Sequence, residues 1–305
     1  MKTRASLFSG RMAVVLGMAC VALAHLCAAA DGVAFDTIRI KARDLPGVTG
    51  HVQGMCVSDD AIFLSTHNAV VKADWSGKVL GLCRFASHMG DLAFHDGRIY
   101  CTWSRTQGGK KEPVILVLDA DLKEVTRKTI PDVPGCDGIA VMDGRVYFGV
   151  GRMIKEPHRV NTVGMLDMDL NVKGFKDVDY GVETNFGVQN MCILNGKIYA
   201  FFYTHLGGKK GAPLKCCILD KELNVLSAEP FAAGQGIDVA PARFGGSADR
   251  PVFVRSHSPG KIARDDPEAV YVSISFWTYA GGKVRPLALG DGKKASKTKR
   301  KDAKQ

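Results

Sequence analysis

One short unit recurs five times along this chain, and that repeat limits the fold more than any other feature. Each unit opens on a polar, glycine-containing step that runs into an apolar strand. The first three steps are Val52-Gln53-Gly54-Met55, Met89-Gly90-Asp91-Leu92 and Cys136-Asp137-Gly138-Ile139. The last two are Val188-Gln189-Asn190-Met191 and Gly234-Gln235-Gly236-Ile237. Aligning Met55, Leu92, Ile139, Met191 and Ile237 gives spacings of 37, 47, 52 and 46 residues. Repeats of this length belong to stacked or radially repeated architectures, in which one unit cannot bury its apolar face alone.

The turns keep the same phase. Asp96-Gly97, Asp143-Gly144 and Asn195-Gly196 are dipeptides favoured in two-residue hairpins, where both central residues need positive φ. Each leads into a β-rich run such as Arg98-Ile99-Tyr100. A second turn follows in four units, at Asp74, Asp119, Asp167 and Asp220, which are 45, 48 and 53 apart. Two independent markers with one period predict four strands, A to D, in each unit of about 45 residues, the size of a propeller blade. Helical periodicity is nearly absent. The expected fold is all-β: a five-bladed β-propeller with four-stranded antiparallel blades at about 50–86, 87–133, 134–182, 183–233 and 234–289. An N-terminal strand within 35–43 is expected to pair with the last blade and close the ring. Closure removes open sheet edges that would invite aggregation.

The two ends stand outside the repeat. Residues 1–30 read as a signal peptide: Lys2, Arg4 and Arg11 precede an apolar run, and Ala28-Ala29-Ala30 offers a small-residue cleavage site. A lipid anchor at Cys20 or Cys27 is the alternative. The expected location is therefore periplasmic or extracellular. Residues 290–305 carry seven lysines and arginines and nothing apolar larger than alanine, the composition of a disordered basic tail. Without these ends, 31 basic residues face 29 acidic ones, so +8 of the net charge of +10 belongs to the termini. This near neutrality argues against a nucleic-acid partner for the repeat region. No later stretch is long enough to span a membrane. The seven cysteines of the repeat region, an odd number, sit mostly in apolar strands and show no metal-ligand spacing. They read as mostly buried thiols, with room for one disulfide in an oxidising compartment.

In a propeller, strand A of every blade lines the axis, and the D–A and B–C loops share one face. The polar steps therefore ring a channel mouth, the default place for a ligand. That ring comprises His51, Gln53, His88, Asp91, Asp137, Gln189, Asn190 and Gln235, with Asp238 one step further on. Strand alternation lets only some of them point inward. Asp91 and Asp137, on neighbouring blades, suit an acid–base pair, with His51 or His88 as an alternative base. The same ring of oxygens and imidazoles also suits calcium or another divalent cation. The long B–C loops on this face are basic: Lys110, Arg152, His205, Lys209 and His257 project from them. A positive rim attracts anions. The expected partner is a small anionic or carbohydrate ligand, met by a monomer that binds it, with its hydrolysis or rearrangement as the chemistry such a site could add; a non-catalytic scaffold is the alternative.

The opening run His51-Val52-Gln53-Gly54-Met55, followed by Ala61-Ile62-Phe63-Leu64-Ser65-Thr66, resembles the start of the glutamine cyclotransferases. These are exported five-bladed propellers with Gln-Gly and Glu-Gly steps at strand A. The resemblance spans most of the repeat region as a pattern of short motifs. It implies the propeller fold, a site at the channel mouth, and a glutaminyl cyclase-like reaction on peptide N-termini. This chain has Gly90-Asp91 and Asp137-Gly138 where that family has Glu-Gly.

Overall fold

A computed structural model describes residues 37–287, apart from 152–157, 185, 203–215, 230–232, 234, 260–261, 263–265, 267 and 281–282. It is a five-bladed β-propeller built from five small antiparallel sheets. The inner strands A are Gly54–Val57, Met89–His95, Cys136–Met142, Val188–Leu194 and Ile237–Val239. Each hydrogen-bonds to its own strand B, and strands C and D follow outward in the first four blades.

The turn chemistry follows from the sequence. Asp96, Asp143 and Asn195 have φ of 47°, 51° and 51°, and each is followed by a glycine with positive φ, as a primed two-residue turn requires. The C–D turns share a different device. Asp74 Oδ1 accepts from the backbone N–H groups of Ser76 and Lys78, at 2.8 and 3.0 Å. Asp119, Asp167 and Asp220 repeat this pattern two and four residues on. The carboxylate replaces a backbone acceptor and fixes the hairpin. Leu122, Leu170 and Leu223 then adopt φ near 62°, where blade 1 has Gly77. Each of these leucines is buried, and its packing offsets the backbone cost.

The fifth blade closes the ring. Its strand C, Val270–Ala280, takes two partners along its outer edge. Ile38–Lys41 pairs with residues 270–274, and Lys283–Pro286 pairs with residues 277–280. The outer strand is thus half N-terminal and half C-terminal, with Ile40 fully buried opposite Val272.

Apolar clusters fill the spaces between successive blades. One joins Phe63 and Val70 to Cys101 and Leu116; the next joins Ile115 and Val117 to Val146 and Phe148. Two more link Tyr147 to Ile198 and Phe201 to Phe253. Six of the seven cysteines among the described residues are buried and Cys83 is half-buried; all seven are free thiols. Among the described residues no helix is long and apolar enough to cross a membrane.

Candidate functional site

Five inner strands converging on an axis leave too little room for five inward side chains. The chain answers with glycine at three of the five equivalent places and a polar side chain at the other two. Gly54, Asp91, Gly138, Asn190 and Gly236 form this layer. A Cβ on Gly54 would lie 2.4 Å from the Asp91 Cα, and one on Gly236 would lie 2.8 Å from the Met55 backbone nitrogen. Real Cβ atoms do not approach that closely.

The two side chains present fill what the glycines leave, and both are fully buried. Asp91 Oδ2 accepts from the N–H of Ile139 in blade 3, at 3.0 Å, and of Met191 in blade 4, at 2.8 Å. Asp91 Oδ1 accepts from Asn190 Nδ2 at 3.0 Å. Asn190 Nδ2 also donates to the Gln53 carbonyl of blade 1, and Asn190 Oδ1 accepts from Gly236 N–H of blade 5. One carboxyl and one carboxamide thereby connect all five blades and close the axis like a plug. The Asp91 N–H donates to Thr102 Oγ1 at 2.8 Å, because a bulge between Met89 and Leu92 turns it off the strand ladder. Burial pushes the Asp91 carboxyl up to about 8 against the pull of its N–H donors. Both oxygens are engaged inside the protein, so Asp91 and Asn190 brace the fold and present no surface to the mouth.

The mouth lies one residue earlier on each strand. Asp137 is partly exposed there, and its Oδ2 accepts from Gln189 Nε2 at 3.2 Å. Gly90 and Gly151 wall it closely: a Cβ on Gly151 would sit 2.5 Å from Asp137 Oδ2. Burial raises Asp137 to about 6. Gln235 Oε1 accepts from Ser258 N–H at 2.7 Å, and Gln53 Nε2 lies 3.0 Å from His51 Nε2. Beside these stand three imidazoles in a row. His51 and His67 have ring centroids 5.0 Å apart, and His67 and His88 have theirs 4.9 Å apart. Gly50, at φ 75°, makes space for the His67 ring, which a Cβ would meet at 2.2 Å.

His67 escaped the sequence reading. It sits in the short B–C turn of blade 1, between Ser65 and Ala69, whereas the basic rim belongs to the long B–C loops. The topology puts this short turn on the same face as those loops. Asp238, placed with the mouth on sequence, lies beyond the plug; its Oδ2 accepts from Val57 N–H at 2.9 Å and its Oδ1 from Val239 N–H.

The basic rim is only partly described. Blade 2 raises a long hairpin, Arg98–Gln107 paired with Lys110–Asp119, whose turn carries Lys110 exposed. Arg105 on that hairpin pairs with Glu112, and Arg159 in blade 3 pairs with Asp179. Two rim cations are therefore matched by carboxylates. His257 is exposed at the end of strand B in blade 5. Arg152, His205 and Lys209 lie outside the described residues. Among the described residues, no group of three or more His, Cys, Asp or Glu is arranged to hold a metal ion.

Burial, followed by the neighbouring His67, His51 and Lys111, pushes His88 down to about 4. Its folded pKa lies below the unfolded value, so the unfolded chain takes up the proton first as pH falls. His88 therefore stabilises the fold above pH ~6.5 and loses that contribution as pH falls to about 4. Imidazole NMR signals should place its midpoint near 4, and His88→Gln should flatten the loss of stability across that window. A midpoint near the ordinary histidine value would refute the close-packed, desolvated arrangement.

No family model and no curated protein matches the chain. Solved structures do. The WD40 domain of Neurospora crassa Pan2 is 14% identical, with a TM-score of 0.42 over 73% of this chain and 74% of that one. A protein of unknown function from Bacteroides caccae is 10% identical, with a TM-score of 0.45 over 77% and 74%. A luciferin-regenerating enzyme is 11% identical, with a TM-score of 0.43 over 79% and 80%.

Proposed function

We propose that this protein is an exported propeller that binds a small anionic or sugar-like ligand in the vestibule above the axial plug. The observation that carries this reading is the convergence of Gln53, Asp137, Gln189 and Gln235 with the imidazoles of His51, His67 and His88 on one polar shelf. Carboxamides, and the imidazoles of His51 and His88 whose protonation burial disfavours, both donate and accept, which suits hydroxyl and oxyanion groups. Lys111 acts on His88 electrostatically and Lys110 extends from the same hairpin, so positive charge overlooks the shelf. An acid–base pair of Asp91 and Asp137 is disfavoured, because Asp91 spends both oxygens on bracing.

Titration calorimetry with glucuronate, glucose 6-sulfate and glucose tests the proposal. Both anionic sugars should bind about tenfold more tightly than glucose. The double variant Lys110→Glu, Lys111→Glu should abolish that margin. Equal binding of the three sugars, or a margin untouched by charge reversal, would sink it.

A second reading draws on Asp137 alone. A partly exposed carboxyl lifted to about 6 can exchange a proton near neutral pH. This supports ligand rearrangement, including the cyclase-like reaction. Ammonia release from a peptide with N-terminal glutamine, lost in Asp137→Asn, is the expected sign; no release removes that reading and leaves binding alone.

A further inference from the structure

Beyond the plug the axis opens again into a cavity of about 490 Å³ at the face of the A–B turns. It arises from small side chains. One residue past the aligned apolar position, the blades carry Cys56, Ala93, Ala140, Cys192 and Asp238, so the strands meet there around open space. Leu92 and Met191 lie toward the plug, and Phe94, Val141, Ile193 and Val239 extend the wall outward. Most of the lining side chains are apolar while backbone groups and Asp143 make much of the wall polar, and among the inward side chains Asp238 stands out. Its oxygens each accept one backbone N–H, and among the described residues no cation pairs with it.

We propose that this cavity binds a small primary amine with an apolar body, its ammonium group held by the Asp238 carboxylate. The argument rests on what the site lacks and what it offers. A carboxylate withdrawn from water, as burial withdraws Asp238, is costly unless a positive partner joins it. Each Asp238 oxygen keeps a lone pair after accepting its backbone N–H, and an ammonium has three donors to give. The surroundings add to the attraction: Asp143 lines the same cavity, and the one basic lining group, His95, stands 3.4 Å from Asp96. Arg98 and Arg145, on the same turns, are engaged by Tyr100 and Tyr147 on strands B. The volume is that of a small-molecule pocket. Burial pushes Asp238 up to about 7, so an entering ammonium would displace a proton near neutral pH and hold the carboxylate ionised. This inference does not rest on the vestibule reading, because the plug divides the two sites and their preferred charges are opposite.

Calorimetry on the full chain at pH 8 with phenethylamine, phenethyl alcohol and phenylacetate separates charge from shape. Phenethylamine should bind at least ~tenfold more tightly than the alcohol, as a charge-assisted hydrogen bond predicts, with phenylacetate weakest. Asp238→Asn should erase the amine's advantage and leave the alcohol unchanged. Glucuronate at saturating concentration should not compete. Equal affinities for amine and alcohol, unchanged amine binding by Asp238→Asn, or no amine binding at all would overturn the proposal. If Asp238→Asn does not fold, the single variant His95→Gln decides, since it removes the imidazole that lines the same cavity and leaves Asp238 in place. Its affinity for phenethylamine should fall as pH drops below about 7; a flat profile would overturn the assignment.

Discussion

Replacing Asp91 with alanine should cost about 4 kcal/mol of stability and lower Tm by roughly 8–16 °C. The loss has a definite source. The N–H groups of Ile139 and Met191 and the Asn190 carboxamide all donate to this carboxyl in a fully buried layer. Alanine offers none of them an acceptor, and a buried donor without a partner costs ~1–3 kcal/mol. Asn190 then loses the contact that orients it toward Gln53 and Gly236, so blades 1 and 5 should loosen together with 3 and 4. Asp91→Asn should cost about half as much, because one oxygen can still accept from the backbone while the new amide meets the Asn190 amide. Thermal denaturation read by circular dichroism gives the ranking. If Asp91→Ala melts within about 2 °C of the parent, the plug contributes little and the bracing role fails.

Gly54→Ala should be nearly as damaging, at about 3 kcal/mol, although it adds a single methyl group. The added carbon would lie 2.4 Å from the Asp91 Cα, and the obstacle is backbone of the neighbouring blade, which has no rotamer to change. The blades must separate at the axis, and the plug's hydrogen bonds lengthen in consequence. Gly97→Ala is the contrast. Nothing lies within 4 Å of a Cβ there, so its cost comes from φ of 72° alone and should stay near ~1 kcal/mol. Urea denaturation of the two variants separates packing from backbone strain; equal losses would show that the axis has slack that the geometry denies.

How legible was this molecule in its sequence? The repeat period, the Asp-Gly and Asn-Gly turns and the recurring C–D aspartates are local features. Their consequences follow from residues a few positions apart, so blade number, strand order and ring closure could be read directly. The polar steps at strand A were legible as a group that belongs near the axis. Their individual roles were not. Asp91 and Asp137 occupy adjacent columns of the same aligned step, and nothing local says that one column is sealed in the plug while the other faces the mouth.

The reason is physical. Bulges between Met89 and Leu92, Asp137 and Ile139, and Val188 and Asn190 break the alternation that normally tells inward from outward. Which residue of each step reaches the axis then depends on how closely five strands from separate blades approach one another. The sequence alone determined that five hairpin units wind into a closed ring with a polar collar, because turns and periodicity act over short range. Only the tertiary structure decided that Asp91 and Asn190 seal that collar, that three histidines gather in a row beside it, and that Asp238 looks into a chamber on the far side. Each of those outcomes depends on contacts between residues 16 to 181 positions apart.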